Sequence, residues 1–122
     1  MSVEARIKAA LDVFGDPVEK SLFLAQNGEL PQRYYTFVCN SFGDDFGDDE
    51  PGHERWLVDV HFFAPLGQNW NQRVKTTKRA LFQAGFTWPK FTDATDQNGQ
   101  HFVFECETAE AIEETEAEDG TV

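Results

Sequence analysis

The spacing of apolar residues divides the chain into stretches of helical and strand period. Val3, Ile7, Ala10, Leu11 and Phe14 recur three and four apart, the interval that puts side chains on one face of an α-helix. Ser2 is placed to cap this helix, and Gly15 with Pro17 to end it. Residues 18–33 carry no clear period; Ser21 to Ala25 fit a short strand and Asn27-Gly28 a turn. Tyr34 to Phe42 is aromatic and β-branched and predicts a strand. Glu54 to Ala64 alternates: Trp56, Val58, Val60 and Phe62 make a continuous core face, while Leu57, Asp59, His61 and Phe63 make a mixed face, half exposed or at an interface. The two strands are expected to form a long hairpin, with Phe42 to Glu50 as the loop at its tip.

Pro65 to Gln68 reads as a turn. Asn69 or Asn71 can cap a second helix running to about Ala84, with Trp70, Val74, Thr77, Leu81 and Ala84 as its buried stripe and Gly85 at its C-terminal cap. Phe86 to Thr95 and Gln100 to Glu107 read as strands around Asn98-Gly99, a hairpin signal. Phe102, Phe104 and Cys106 face one way; His101, Val103 and Glu105 face the other. Pro89 makes the first of these strands an edge or irregular one. The order predicts an α+β domain over residues 1–107: an antiparallel sheet of about four main strands, including two hairpins, with two helices on one face. Aromatics vanish after Thr108, and residues 108–122 read as a flexible acidic tail.

Charge changes this picture by being local. The chain has 122 residues, enough for one domain with its own core, and 22 acids against 10 Lys and Arg give a net charge of −12. Asp44, Asp45, Asp48, Asp49 and Glu50 fall in the first loop; Glu107, Glu110, Glu113, Glu114, Glu116, Glu118 and Asp119 fall at the end. Those two segments hold the whole excess, and the remaining ten acids match the ten bases. Binding of nucleic acid by a free domain needs clustered cations, so no sequence-specific nucleic-acid contact is expected. The best basic group, Arg73, Lys75, Lys78 and Arg79 on the second helix, reads as a solvated face, with nucleic acid and an acidic segment of a neighbouring copy as the alternative partners. No apolar run approaches the roughly 20 residues of a membrane span, and the N-terminus lacks the apolar run of a secretory signal. Cys39 and Cys106 therefore read as reduced thiols packed in strands; a disulfide is the alternative for an exported chain.

The candidate chemistry is thin. The acidic loop supplies oxygens for a cation, but not at the alternating spacing of an EF-hand, and reads as solvated or partner-facing. Its repeated Phe-Gly-Asp-Asp offers Phe42 and Phe46 as aromatic anchors. Asp59 and His61 share a strand face, as a carboxylate orienting an imidazole would, yet no nucleophile motif accompanies them. Asp59 and Glu105 are carboxylates that nothing in the sequence places together. No glycine-rich phosphate loop is present. Phe42, Phe46, Phe63 and Phe91 are candidates for exposure. The reading is of a non-enzyme without metal or cofactor. The alternatives are a small metal- or ligand-binding module, a weak hydrolase built on Asp59 and His61, and an acidic adaptor or inhibitor.

Three stretches together resemble a family. They are Tyr34-Tyr35-Thr36-Phe37 leading to Asp48-Asp49-Glu50; Trp56-Leu57-Val58-Asp59-Val60-His61-Phe62; and the helix Arg73–Ala84 ending Ala84-Gly85-Phe86, followed by Asp96, Gly99, His101 and Phe104. The pattern is similar to the tail-completion proteins of long, non-contractile-tailed phages and prophages, also called tail terminators or tail-to-head joining proteins, over roughly residues 1–107. The resemblance implies a non-enzymatic virion protein of the tail and neck. It implies a ring, usually of six copies, that caps the tail tube and docks on the head connector, with assembly in the host cytoplasm. A monomer before assembly fits the self-sufficient core. The residues expected to touch a partner are Phe42, Asp44, Asp45, Phe46, Asp48, Asp49 and Glu50 of the loop, and Arg73, Lys75, Lys78 and Arg79 of the helix.

Overall fold

A computed structural model describes residues 2–20, 31–47 and 50–111, with the backbone alone at strand residues 42, 44–47, 50–53, 110 and 111. The order is α1 (Val3–Asp12), β1 (Val18–Lys20), β2 (Tyr34–Gly47), β3 (Glu50–Ala64), α2 (Asn71–Gln83), β4 (Lys90–Asp93) and β5 (Gln100–Ala111). The expected α+β architecture is present, but the sheet has five strands and is mixed, in the order β1-β2-β3-β5-β4. The four expected strands pair antiparallel, and β1 adds to the β2 edge in parallel, with Val18 opposite Tyr35 and Lys20 opposite Phe37. The strand and turn expected within 21–30 lie outside the described residues.

Both helices cover one face of the sheet. The Ser2 hydroxyl accepts the Ala5 amide at 3.1 Å, the capping bond that starts α1. Val3, Ile7 and Leu11 of α1 and Leu81 of α2 are buried against Tyr35, Phe37, Val58, Val60, Phe62, Phe102, Phe104 and Cys106, the alternate residues of β2, β3 and β5. Inside this layer the Tyr35 hydroxyl and the buried Thr77 hydroxyl hydrogen-bond at 2.8 Å, so two polar atoms of the core satisfy each other. Helix α2 starts without a side-chain bond from its cap residue Trp70; instead the Asn69 carboxamide oxygen accepts the Asn71 amide at 2.8 Å.

The end of α2 is a Schellman turn. The amides of Gly85 and Phe86 donate to Phe82 and Leu81, respectively, with Gly85 at φ 103° and buried Phe86 beside buried Leu81. The Arg6 guanidinium of α1 donates to the Ala84 carbonyl from Nε at 3.1 Å and Nη2 at 3.0 Å, and lies over the Phe86 ring. A cation thus sits where the helix dipole is negative. A Cβ at Gly85 would enter the space of that guanidinium. Gly85→Ala should cost about 1–3 kcal/mol, measured by urea unfolding, and should cost clearly less in an Arg6→Ala background.

Two boundaries differ from the pattern. The strand expected over Phe86 to Thr95 is confined to Lys90–Asp93, because Pro89 has no amide for the ladder; Thr87 still donates to Glu107 at 2.8 Å. Strand β5 runs through 108–111, paired with β3 as far as His53 opposite Ala111, so the acidic segment begins inside the sheet; residues 112–122 lie outside the described residues. Cys39 and Cys106 are free thiols, each opposite Val58 on the two sides of β3. Two strand spacings put them roughly 10 Å apart, beyond disulfide reach. Burial pushes the Cys106 thiol up to about 12.

Candidate functional site

The hairpin tip is strand where a loop was expected. The ladder of β2 and β3 continues through Phe42 opposite Arg55, Asp44 opposite His53, Phe46 opposite Pro51 and Gly47 opposite Glu50. Strands of 14 and 15 residues make a ribbon about 45–50 Å long at about 3.4 Å per residue. Among the described residues β1 pairs with β2 as far as Phe37 and β5 pairs with β3 as far as His53. The backbone of Phe42, Asp44, Asp45, Phe46 and Glu50 is therefore part of the β2–β3 ladder, with Phe42 and Asp44 opposite β3 residues that also pair with β5, while their side chains, and Asp48 and Asp49 entirely, lie outside the described residues.

The basic group on α2 is not one solvated face. The Arg73 guanidinium donates to the Asp16 carboxylate at 2.7 Å and lies 4.8 Å from the Phe14 ring centre, 5.2 Å from Phe62 and 5.5 Å from Trp70. Arg33 reaches the same carboxylate at 3.4 Å. Lys78 lies over Phe91 at 5.2 Å. That leaves Lys75 and Arg79, which are exposed, as the members of the group directed to solvent. The difference is physical: a guanidinium that finds a carboxylate and aromatic faces is a core-edge group, and the residues that make it so are distant in the chain.

The other face of the sheet is open. Among the described residues no helix covers it, and it presents Val38, Leu57, Asp59, His61, Phe63, Lys90, His101, Val103 and Glu105, as the mixed alternation predicts. Register brings Asp59 and Glu105 directly opposite each other, the juxtaposition that the sequence alone did not place. Among the described residues His61 bonds His101, at 2.7 Å between Nδ1 and Nε2, and makes no hydrogen bond to Asp59. Phe63 stacks between Tyr34, at 4.9 Å, and His101, at 4.3 Å. Those rings stand face to face across the strands, so they offer edges rather than a stacking platform. Phe63 and Phe91 are half-buried, whereas the exposed large apolar residues are Val13, Val38, Leu57, Leu66, Phe82 and Trp88. Among the described residues no three His, Cys, Asp or Glu groups converge as metal ligands, and no helix is long and apolar enough to cross a membrane.

Burial pushes both imidazoles below their usual 6.5; His61 adds to the effect at His101, while Asp59 opposes it at His61 and Asp96 and Asp93 oppose it at His101. The folded chain then binds fewer protons than the unfolded chain between the folded pKa values and about 6.5. The pair's stabilisation is complete above about 6.5 and is lost as pH falls through that value towards the folded pKa values. The double variant His61→Gln/His101→Gln should narrow its gap in Tm to wild type between pH 7.5 and 5.5. A gap independent of pH would contradict this.

No protein-family model matches the chain, and no curated protein matches it. Several solved structures resemble the chain; one of them superposes at a TM-score of 0.57, over 91% of this chain and 94% of its own, with 11% sequence identity. That likeness shows the fold: a helix, a hairpin sheet, a second helix and a returning hairpin in one domain.

Proposed function

We propose that the chain is a tail-completion protein of a long, non-contractile-tailed phage or prophage: a structural, non-enzymatic subunit that forms a ring, caps the tail tube and joins tail to head. The observation that carries the reading is the long β2–β3 hairpin, which carries the acidic segment in its ladder from Tyr34 opposite Phe63 to Gly47 opposite Glu50. It is supported by the order of the Tyr34–Glu50, Trp56–Phe62 and Arg73–Phe104 stretches that resemble the family. In this reading the ribbon meets the tube or a ring neighbour, and the head connector is the second partner. A hydrogen-bonded pair of strands suits docking into an assembly, because a paired backbone has less conformational freedom to lose than a loop.

The test is electron microscopy of tail-tube subunits polymerised with this protein. Tubes should be capped and of limited length. A variant with residues 43–50 replaced by Asn-Gly, folded by circular dichroism, should cap at most one-tenth as many tubes. Unlimited growth with the wild-type chain would remove the proposal.

A further inference from the structure

We propose that the open sheet face of one copy receives the outer side of α2 from a second copy, head to tail. The proposal rests on the ring assembly proposed above and names the two surfaces that make it. On α2, Lys75, Arg79 and Phe82 recur at four and three residues, which puts them on one stripe, opposite the side that buries Thr77 and Leu81. Phe82 is 53% exposed and rests edge-on against Trp88, itself 51% exposed. Two cations and an aromatic therefore face away from the sheet, and α2 carries no acid at all.

The counterpart is the open sheet face, whose groove adjoins the α2 surface through Trp88. Asp59, Glu105 and Lys90 stand in one row across β3, β5 and β4, so two like charges that destabilise a sheet as neighbours share a single cation on one side. Around them are Val38 and Leu57, the latter 43% exposed. A groove of about 400 Å³ runs between Leu57, Asp59, Trp88, Lys90 and Glu105. Asp59, Glu105, Lys75 and Arg79 make no ion pair among the described residues. Lys75 and Arg79 are separated by about 6 Å along the helix, and the two carboxylates by about 5 Å across the strands. A helix of 13 residues is about 20 Å long, and the open face spans about 20 Å over its four antiparallel strands. Docking would place Phe82 against the apolar residues, put a cation on each carboxylate and give the bare sheet a second layer. The two surfaces differ, so the contact is heterologous and propagates into a ring or a filament.

Charge reversal tests this on the full chain in 0.15 M salt, by sedimentation velocity up to 0.5 mM protein. Wild type should self-associate. Asp59→Lys/Glu105→Lys and Lys75→Glu/Arg79→Glu should each weaken association at least tenfold, with circular dichroism unchanged. The four substitutions together leave the net charge as it was and should restore association. A monomeric wild type overturns the proposal. So does a folded quadruple variant that stays dissociated, or a pair of double variants that associate as wild type does. In the last case, capped tubes in the microscopy experiment would still uphold the tail-completion reading, with the ring made through other surfaces.

Discussion

Replacing Arg73 by Met is expected to destabilise the fold by about 3–5 kcal/mol, the range for removing one partner of a buried pair. The change leaves the Asp16 carboxylate, 7% exposed, without its 2.7 Å donor, and only Arg33 at 3.4 Å remains beside it. It also strips the cation from the faces of Phe14, Phe62 and Trp70. Arg73→Lys keeps the charge and loses the planar fork, so it should fall between wild type and Met. Asp16→Asn in the Met background should recover part of the loss, because a neutral amide costs less to bury than an orphaned carboxylate. Urea unfolding of wild type, Arg73→Met, Asp16→Asn and the double variant forms a double-mutant cycle. A coupling below about 0.5 kcal/mol would show that Arg73 acts as a solvated lysine-like residue, as its place in a basic run suggests.

The same residue marks where the sequence stops being legible. Helix α1, the core face of β3 and the stripe of α2 could be read because each has a strong period and its own punctuation, from Ser2 to Gly15 and from Asn69 to Gly85. Strand β1 could not, since Val18-Glu19-Lys20 is too short to alternate and its parallel partner is 17 residues away. The acidic segment reads as a loop because Gly and Asp are poor strand residues. The neighbouring alternation of β3 fixes the register and carries the ladder through it. Arg73, Lys75, Lys78 and Arg79 look alike in sequence, and only contacts from Asp16, Phe14 and Phe91 separate the two used internally from the two left outward. Asp59 and Glu105 likewise become neighbours only through a register that no local signal contains.

The adjacent residues Phe62 and Phe63 should respond very differently to the same substitution. Phe62→Ala should cost about 3–5 kcal/mol, a large share of the 5–15 kcal/mol that holds a typical domain together. Its ring is 1% exposed and lies 4.8 Å from Tyr35, 5.3 Å from Trp70 and 6.3 Å from Phe102, so the void left behind is walled by rigid aromatics that collapse poorly. Phe63→Ala should cost about 1–2 kcal/mol, the value of its stacking on Tyr34 and His101 with partial burial. Both sit in the same strand, so propensity and hydrogen bonding cancel from the comparison, and the difference isolates the face. Unfolding of the two variants in urea measures it. Equal losses would mean that the open face is as buried as the core, and would take away the surface on which head-to-tail docking depends. A large difference would leave that face free to be shaped by what it binds rather than by what it holds up.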